Sequence, residues 1–320
     1  MAKHVIVGAG GVGGGVAREL AAAGHEVVVV TRSGRAPAID GVRAVALDAR
    51  DAAGLTAVTR GADALYNCAN PSNYAKWAKE WPPLAASLLT AATDTGAAYV
   101  IMGNLYGYGP VAGPITPDLP LATPSANGRI RVGMWEDALA AQRAGRVRVT
   151  EVRASDFIGP DSGANAHLGD RVIPRILAGK KVRAFAALDQ PHSWTYVPDV
   201  ARTIAVLGTD DRSWGRAWHV PTNPALTQRE AFASIATVAG VPMPAVGTLS
   251  SRTIRAVGVA VPLIRALGQQ LYQFERPFVI DAGETTATFG IEPTPWADCV
   301  RATLGAYTDS SAAALAAPSR

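Results

Sequence analysis

The sequence is poor in cysteine and in long apolar runs. Only two of its 320 residues are cysteines, Cys68 and Cys299, and they lie too far apart to suggest a disulfide framework or a metal-ligand pair. No uninterrupted apolar run approaches the ~18 residues that indicate a membrane-spanning helix. We therefore expect a reduced, cytoplasmic protein that has no metal site and does not enter a membrane.

Charge is scarce as well. Charged residues make up 18% of the chain, and 30 basic against 26 acidic residues leave a net charge of +4. So small an excess of basic over acidic residues, scattered along the chain, argues against a nucleic-acid partner. The hydrophobic fraction of 48% is typical of a protein with a large buried core. We expect a monomer or homodimer that binds a small molecule.

Short apolar strands alternate with helices over the first half of the chain. Strands are predicted at residues 5–7, 26–30, 42–47, 62–67, 98–102 and 147–152, with helices at 16–23, 83–95 and 129–143. Continuous apolar strands that alternate with helices favour a parallel sheet covered on both faces. The predicted fold is α/β, with a Rossmann-type, doubly wound parallel sheet.

The pattern changes after about Gly159, where prolines and tryptophans become frequent and the alternation weakens. This change predicts a cofactor domain at residues 1–160, with returning segments at about 193–222. A smaller C-terminal substrate lobe would comprise residues 161–192 and 223–308. The low-complexity, alanine-rich residues 309–320 would form a flexible tail.

A glycine-rich segment follows the first strand and opens the first helix. The predicted cofactor loop comprises Gly8, Gly10, Gly11, Val12, Gly13 and Gly14. Glycines at this junction permit a tight turn, close approach of a pyrophosphate and close packing of helix on strand. Both the ordinary dinucleotide spacing and the Gly-x-x-Gly-x-x-Gly spacing fit. A glycine-rich turn without a ligand is the alternative.

The residues after the second strand bear on which dinucleotide is bound. An acidic residue there would take the ribose hydroxyls of NAD, but the chain has Thr31, Arg32, Ser33 and Arg35, with no acid before Asp40. A guanidinium pairs well with a 2′-phosphate, so NADP(H) is predicted. The alternative is that both arginines are solvated loop charges. The remaining predicted cofactor contacts are Asp48 and Ala49 on the adenine side and Cys68, Ala69 and Asn70 on the ribose side.

Five segments together resemble the extended short-chain dehydrogenase/reductase superfamily, and within it the NAD(P)-dependent epimerase/dehydratase group. They are VGAGGVGG at 7–14, LDARD at 47–51, YGYGP at 106–110, RASDFIGP at 153–160 and WTYVPDVA at 194–201. The fourth is similar to the group's Arg-Pro-x-Asn-Val-Tyr-Gly-Pro segment, which faces the nicotinamide. The resemblance therefore implies that Ala154 and Ser155 lie beside the cofactor.

The chain departs from this group at the residues that carry its chemistry. The resemblance implies a Ser or Thr after the fifth strand and a Tyr-x-x-x-Lys pair on the next helix, but the pair falls on Asn127 and Arg131 and the hydroxyl falls near Gly103 or Asn104. Arg131 can hold ribose hydroxyls as a fixed cation, whereas Asn127 cannot act as an acid or base. The usual proton relay is therefore missing.

Few residues are candidates to replace that relay. Tyr106 and Tyr108 follow the fifth strand and could donate a proton, while Asn104 could hydrogen-bond a substrate carbonyl. The two tyrosines could equally be loop aromatics that only pack. The predicted substrate contacts are Tyr74, Trp77, Asp156 and His167, with lobe packing as the alternative for the first two. His192 and His219 are interpreted as structural histidines.

Three functions are compatible with these residues. The first is an NADPH-dependent oxidoreductase that reduces a small or medium organic carbonyl, enone or imine. The second is a sugar-nucleotide epimerase or dehydratase, which the group's name suggests but which depends on the base that Asn127 replaces. The third is a non-catalytic NADP-binding redox sensor.

Overall fold

The computed structural model describes residues 1–163 and 166–316, and side chains as far as residue 308. The strands are β1 (Lys3–Val7), β2 (Glu26–Thr31), β3 (Val42–Ala46), β4 (Ala64–Asn67), β5 (Ala98–Asn104), β6 (Val149–Ala154), β7 (Asp156–Ile158), β8 (Val182–Phe185), β9 (Trp194–Tyr196), β10 (Ala217–His219) and β11 (Val246–Leu249). The helices are α1 (Gly11–Ala22), α2 (Ala52–Thr59), α3 (Trp77–Thr95), α4 (Ala126–Arg143), α5 (Ile173–Leu177), α6 (Val197–Leu207), α7 (Gln228–Val238), α8 (Ser251–Ala260), α9 (Pro262–Gly268), α10 (Tyr272–Glu275), α11 (Gly283–Phe289) and α12 (Trp296–Ala316). Short 3₁₀ helices span Tyr74–Lys76 and Asp211–Ser213.

Seven parallel strands form the central sheet, in the order β10-β6-β5-β4-β1-β2-β3. The apolar strands are buried on both faces, as the continuous β-branched runs predict. On one face α3 and α4 pack through Trp77, Trp81 and Trp135, and on the other α1 and α6 pack through residues such as Leu20 and Ile204. The predicted Rossmann-type, doubly wound α/β fold is confirmed.

All three helices predicted in the first half of the chain begin earlier in the structure, α1 at Gly11 rather than at residue 16. Helix α3 starts at Trp77 and contains Pro82 and Pro83, although residue 83 was expected to be its first. The two prolines are the sixth and seventh residues of the helix and remove two of its hydrogen bonds, but the buried Trp77 and Trp81 anchor the turns before them. Helix α4 starts at Ala126 because the Ser125 hydroxyl caps it by accepting a hydrogen bond from the Gly128 amide.

The second half of the chain alternates between the central sheet and a smaller lobe. Strand β10 pairs with β6 at the sheet edge, and α6 packs on α1. Two small sheets, β7–β9 and β8–β11, lie outside the central sheet. Helix α12 continues to Ala316, so the tail predicted at 309–320 falls partly in this helix and partly outside the described residues. None of the described helices is long and apolar enough to span a bilayer.

Candidate active site

Two adjoining concavities lie at the carboxyl ends of the central strands, where ligands of open α/β sheets bind. We call the first the outer groove. The predicted site residues that line it are Gly8, Gly10, Thr31, Arg32, Ser33, Asp48, Ala49, Cys68, Ala69 and Asn70. The second is the inner pocket, of about 260 Å³, and the predicted residues that line it are Gly10, Gly11, Val12, Cys68, Ala69, Asn70, Tyr74, Trp77, Asn104, Tyr106, Arg131, Ala154, Ser155 and Asp156.

The glycine loop has the geometry of a phosphate cradle. A Cβ on Gly8, whose φ is +102°, would lie 2.9 Å from the Cys68 carbonyl, and one on Gly13 would lie 2.1 Å from the Gly8 carbonyl oxygen. A Cβ on Gly10, by contrast, would meet nothing within 4 Å. Gly8 and Gly13 are thus required by the turn and by helix packing, while Gly10 leaves open space at the start of α1. Gly11 is confined as well, because a Cβ there would lie 2.3 Å from the Asp161 carbonyl oxygen, so the contacts are compatible with both glycine spacings.

The start of α1 is electrostatically suited to an anion. Its N-cap is Gly10, which has no side chain to occupy the first amides, and its first turn contains no acidic residue. The amide N–H groups and the positive end of the helix dipole therefore face the concavity. Gly13 and Gly14 line neither the outer groove nor the inner pocket, so their contribution is to packing.

Two arginines, Arg32 and Arg50, line the far end of the outer groove. Arg32 is exposed at its rim and forms no ion pair with the residues whose side chains are described. Arg35 does not line the groove; its carbonyl accepts a hydrogen bond from the Thr31 hydroxyl at 3.0 Å. Sequence reasoning missed Arg50, which lines the groove and pairs with the Asp48 carboxylate. The hydrogen bonds from Arg50 lower the pKa of Asp48 to about 2.

Two of the predicted catalytic residues, Asn104 and Tyr106, meet in the inner pocket. The Asn104 side-chain oxygen accepts a hydrogen bond from the Tyr106 amide at 3.1 Å, and the Tyr106 and Tyr74 hydroxyls are 3.1 Å apart. Burial raises the pKa of Tyr106 well above its ordinary value, with the neighbouring Tyr74 adding to the effect. Tyr106 therefore holds its proton firmly, which weakens it as a base.

Arg131 is a buried cation at the position of the group's lysine. Its guanidinium stacks over Trp77 and Trp81, with Cζ 4.2 Å from the Trp81 ring centroid. It donates to the Met102 carbonyl and to the Asn70 side-chain oxygen, each at 3.2 Å, while Nε is buried without a partner in the described structure. Burial lowers the pKa of Arg131, but an arginine stays charged at any physiological pH. The residue thus offers the pocket a fixed positive charge.

Besides Gly13, Gly14 and Arg35, three further predicted residues lie outside both concavities. The Tyr108 hydroxyl is 2.8 Å from His219 Nε2 and accepts from Arg153 at 2.6 Å, so Tyr108 belongs to a buried polar network. The Asn127 amide donates to the Tyr74 carbonyl. His167 packs on Trp194 and Phe274 and pairs with Gln228 at 2.8 Å. Neighbouring aromatic and polar groups hold all three away from the pocket.

Gly103 cannot carry the missing hydroxyl. A Cβ at this position would lie 2.4 Å from Oε1 of Glu151, which is fixed in a buried ion pair with Arg153. At position 103, one of the two positions where the resemblance implies the Ser or Thr, Glu151 therefore fills the space that a side chain would need.

Sequence reasoning also missed the partner of Asp156. His192 Nε2 lies 2.8 Å from Asp156 Oδ2, although the two residues are 36 positions apart in sequence. His192 was interpreted as an isolated structural histidine, and the structure instead joins it to a residue that lines the inner pocket. Parallel pairing of β7 with β9 places Asp156 opposite Trp194, two residues beyond His192, and this register is a tertiary feature that residue spacing does not reveal.

The fold is shared with solved sugar-nucleotide enzymes. The dTDP-glucose 4,6-dehydratase from Streptomyces venezuelae, solved with NAD and TYD, is 21% identical, with a TM-score of 0.78 and coverage of 97% of this chain and 98% of that one. A UDP-glucuronic acid 4-epimerase from Bacillus cereus, solved with UDP-glucuronic acid and NAD, is 16% identical, with a TM-score of 0.78 and coverage of 96% and 99%. A UDP-glucose 4-epimerase from Thermotoga maritima is 15% identical, with a TM-score of 0.78 and coverage of 97% and 99%. At these identities the likeness shows the fold.

Family membership comes from the sequence. Comparison with curated proteins found no match. The family model described as the NAD dependent epimerase/dehydratase family matches residues 4–219, which include the glycine loop, the strand-five loop and helix α4. This range covers well over half of the chain and confirms the resemblance that the five segments carry. The chain belongs to the NAD dependent epimerase/dehydratase family.

Proposed function

We propose that this chain is a cytoplasmic, NADP(H)-dependent oxidoreductase that reduces a small or medium organic carbonyl, enone or imine. One observation carries the proposal: the outer groove and the inner pocket share Gly10, Cys68, Ala69 and Asn70 as lining residues. The groove therefore leads from Arg32 past the start of α1 into a pocket with polar side chains. Such a path suits a dinucleotide, which when bound supplies or accepts hydride at its nicotinamide end.

The residues fit that cofactor in three places. The open space at Gly10 and the unblocked amides of α1 suit a diphosphate. Arg131 and Asn70 provide polar atoms suited to the nicotinamide ribose, and the buried Arg131 Nε lacks a partner within the described structure. Arg32 supplies a cation for a 2′-phosphate, which favours NADP over NAD.

The size of the inner pocket supports a small substrate. Its volume of about 260 Å³ is below the roughly 300–1,000 Å³ typical of pockets for drug-sized ligands, and the nicotinamide end of the cofactor has to share it. Asn104 and Tyr106 lie in the pocket and can position a carbonyl oxygen by hydrogen bonding.

The test is NADPH oxidation, followed at the nicotinamide absorbance, with a panel of carbonyls, enones and imines. Turnover of at least one compound, with tighter binding of NADPH than of NADH, is the expected result. Tight NADPH binding without turnover of any compound would refute the reductase proposal and leave the nucleotide-sugar enzyme and the redox sensor as the alternatives.

A second candidate is a sugar-nucleotide epimerase or dehydratase. The family, and the dehydratase and epimerase activities of its structural neighbours, favour this function over reduction of a small carbonyl. Its chemistry begins with oxidation of a hydroxyl, and the residue at the usual base position is Asn127, whose side chain is bonded to the Tyr74 carbonyl. Incubation with dTDP-glucose, UDP-glucose and UDP-glucuronic acid, followed by NMR of the sugar protons, decides between the two. Conversion of a nucleotide sugar would establish the second candidate.

A further inference from the structure

The resemblance puts Asn127 at the position of the family's phenol base, and the inner pocket contains an ionisable pair of a different kind. Asp156 lines the inner pocket with its side chain 23% exposed, while its partner His192 is 1% exposed and lies behind it. The Asp156 side chain therefore faces the inner pocket, and the His192 ring is buried in the protein interior. Only one carboxylate oxygen, Oδ2, is engaged by His192.

The surroundings of His192 fix its protons. Nδ1 lies 3.1 Å from the Gln273 carbonyl oxygen, which only accepts, so Nδ1 carries a proton. Nε2 lies 2.8 Å from Asp156 Oδ2, and an ionised carboxylate also only accepts. One proton therefore lies between Nε2 and Oδ2 and joins the ring to the carboxyl group. Phe274 stacks on the ring at 4.6 Å with an interplanar angle of 9°.

Asp156 is correspondingly held as a carboxylate. Burial alone would raise the pKa of its carboxyl, but the hydrogen bond and the charge of His192 outweigh burial and leave the pKa below its ordinary value. The other ionisable groups that interact with Asp156 are His167, Arg171, Tyr74, Tyr106 and Tyr272. The four ring groups are neutral at neutral pH, and Arg171 also favours the carboxylate.

We infer that Asp156 is the catalytic residue that exchanges a proton with the substrate oxygen, and that His192 is the positioning residue that keeps Asp156 ionised and oriented. This inference rests on the proposed hydride-transfer function. Tyr106, which holds its proton firmly, then serves as a hydrogen-bond donor in the same pocket.

In the oxidising direction, Asp156 is the base that accepts a proton from the substrate hydroxyl. The substrate O–H proton passes to Asp156 Oδ1 while the C–O single bond becomes C=O, and the carbon-bound hydrogen leaves with its electron pair for NADP⁺, the co-reactant of the proposed function. Asp156 then releases the proton to solvent, so an alcohol and NADP⁺ give a carbonyl, NADPH and H⁺. Reduction is the reverse: Asp156 first takes up a proton from solvent and then passes it to the substrate oxygen as hydride reaches the carbon.

The first test compares wild type with Asp156→Asn on the fastest carbonyl of the panel and on the corresponding alcohol. The family's segment has Asn at this position, so the variant should fold. We expect kcat to fall at least about 100-fold, the Kd for NADPH to stay within about twofold, and the acid limb of the oxidation profile to disappear. Asp199→Asn, which removes a buried carboxylate outside the pocket, should keep wild-type kcat. Full activity in Asp156→Asn would overturn the inference.

The second test does not depend on turnover. Histidine-selective ¹⁵N NMR of the protein without added substrate should show two N–H groups on His192 at neutral pH, assigned by their loss in His192→Gln. In Asp156→Asn the Nε2 proton should be lost. A wild-type ring with a single N–H at neutral pH would contradict the inference.

The variant His192→Gln tests whether His192 positions Asp156 or only stabilises the fold. Without the hydrogen bond from His192, burial should raise the pKa of Asp156, and the acid limb of the oxidation profile should move to higher pH. An unmoved limb would refute the role of His192. If wild type binds NADPH but converts nothing, the proposed function fails and this inference fails with it; turnover that Asp156→Asn leaves intact overturns the inference alone.

Discussion

Replacing Arg32 by alanine should change the choice between the two dinucleotides. Arg32 lies at the rim of the outer groove, and it forms no ion pair among the residues whose side chains are described. Hydrogen bonds to charged groups contribute about 1.5–3 kcal/mol. Because Arg32 is solvent-exposed, the lower end applies, and about 1.5 kcal/mol corresponds to a roughly tenfold weaker Kd for NADPH. NADH lacks the 2′-phosphate, so its Kd should hardly change.

Isothermal titration calorimetry with NADPH and NADH measures this difference at one fixed ionic strength. Arg43→Ala is the matched control, since Arg43 is an exposed arginine on the edge strand β3 and lines neither concavity. It should leave both dissociation constants unchanged. If Arg32→Ala weakened NADPH and NADH equally, Arg32 would not recognise the 2′-phosphate, and the preference for NADP would lose its basis.

Three further predictions concern stability. Glu151→Gln leaves the buried guanidinium of Arg153 without its carboxylate, so the free energy of unfolding in urea should fall by about 3–5 kcal/mol; a loss below about 1 kcal/mol would contradict a buried ion pair. Gly103→Ser, which adds a hydroxyl at one of the two positions that the resemblance implies, should cost about 1–3 kcal/mol by overpacking against Glu151, and an unchanged melting temperature would show that Glu151 can move. Burial lowers the pKa of His167 to about 3 and that of His219 to about 4, so the unfolded chain binds more protons below pH ~6.5. Unfolding free energy should therefore decrease by at least about 1 kcal/mol from pH 7 to pH 4, and a flat profile in urea titrations would refute this.

The sequence predicts local features of this fold well. The strand, glycine turn and helix at the start of the chain depend on neighbouring residues, because Gly8 needs a positive φ and Gly13 has to clear the Gly8 carbonyl. The same local character made the outer groove predictable, since Arg32 and Asp48 follow adjacent parallel strands β2 and β3.

Features that depend on tertiary packing are harder to predict from the sequence. Tyr106 and Tyr108 are two residues apart in one loop, yet the first lines the inner pocket and the second is bonded to His219. No sequence pattern distinguishes them, because the direction of each ring is set by residues distant in the chain. The pairing of Asp156 with His192 was hidden for the same reason: it requires the register of β7 with β9.

The residues shared by the outer groove and the inner pocket have a kinetic consequence. Because Gly10 and Cys68–Asn70 border both concavities, a molecule that fills the groove up to Gly10 also becomes one wall of the pocket. A substrate that arrived first would find its site incomplete and would obstruct the inner end of the groove. The order of events should therefore be compulsory: the dinucleotide enters first, the substrate follows, and the product departs before the spent dinucleotide can be exchanged.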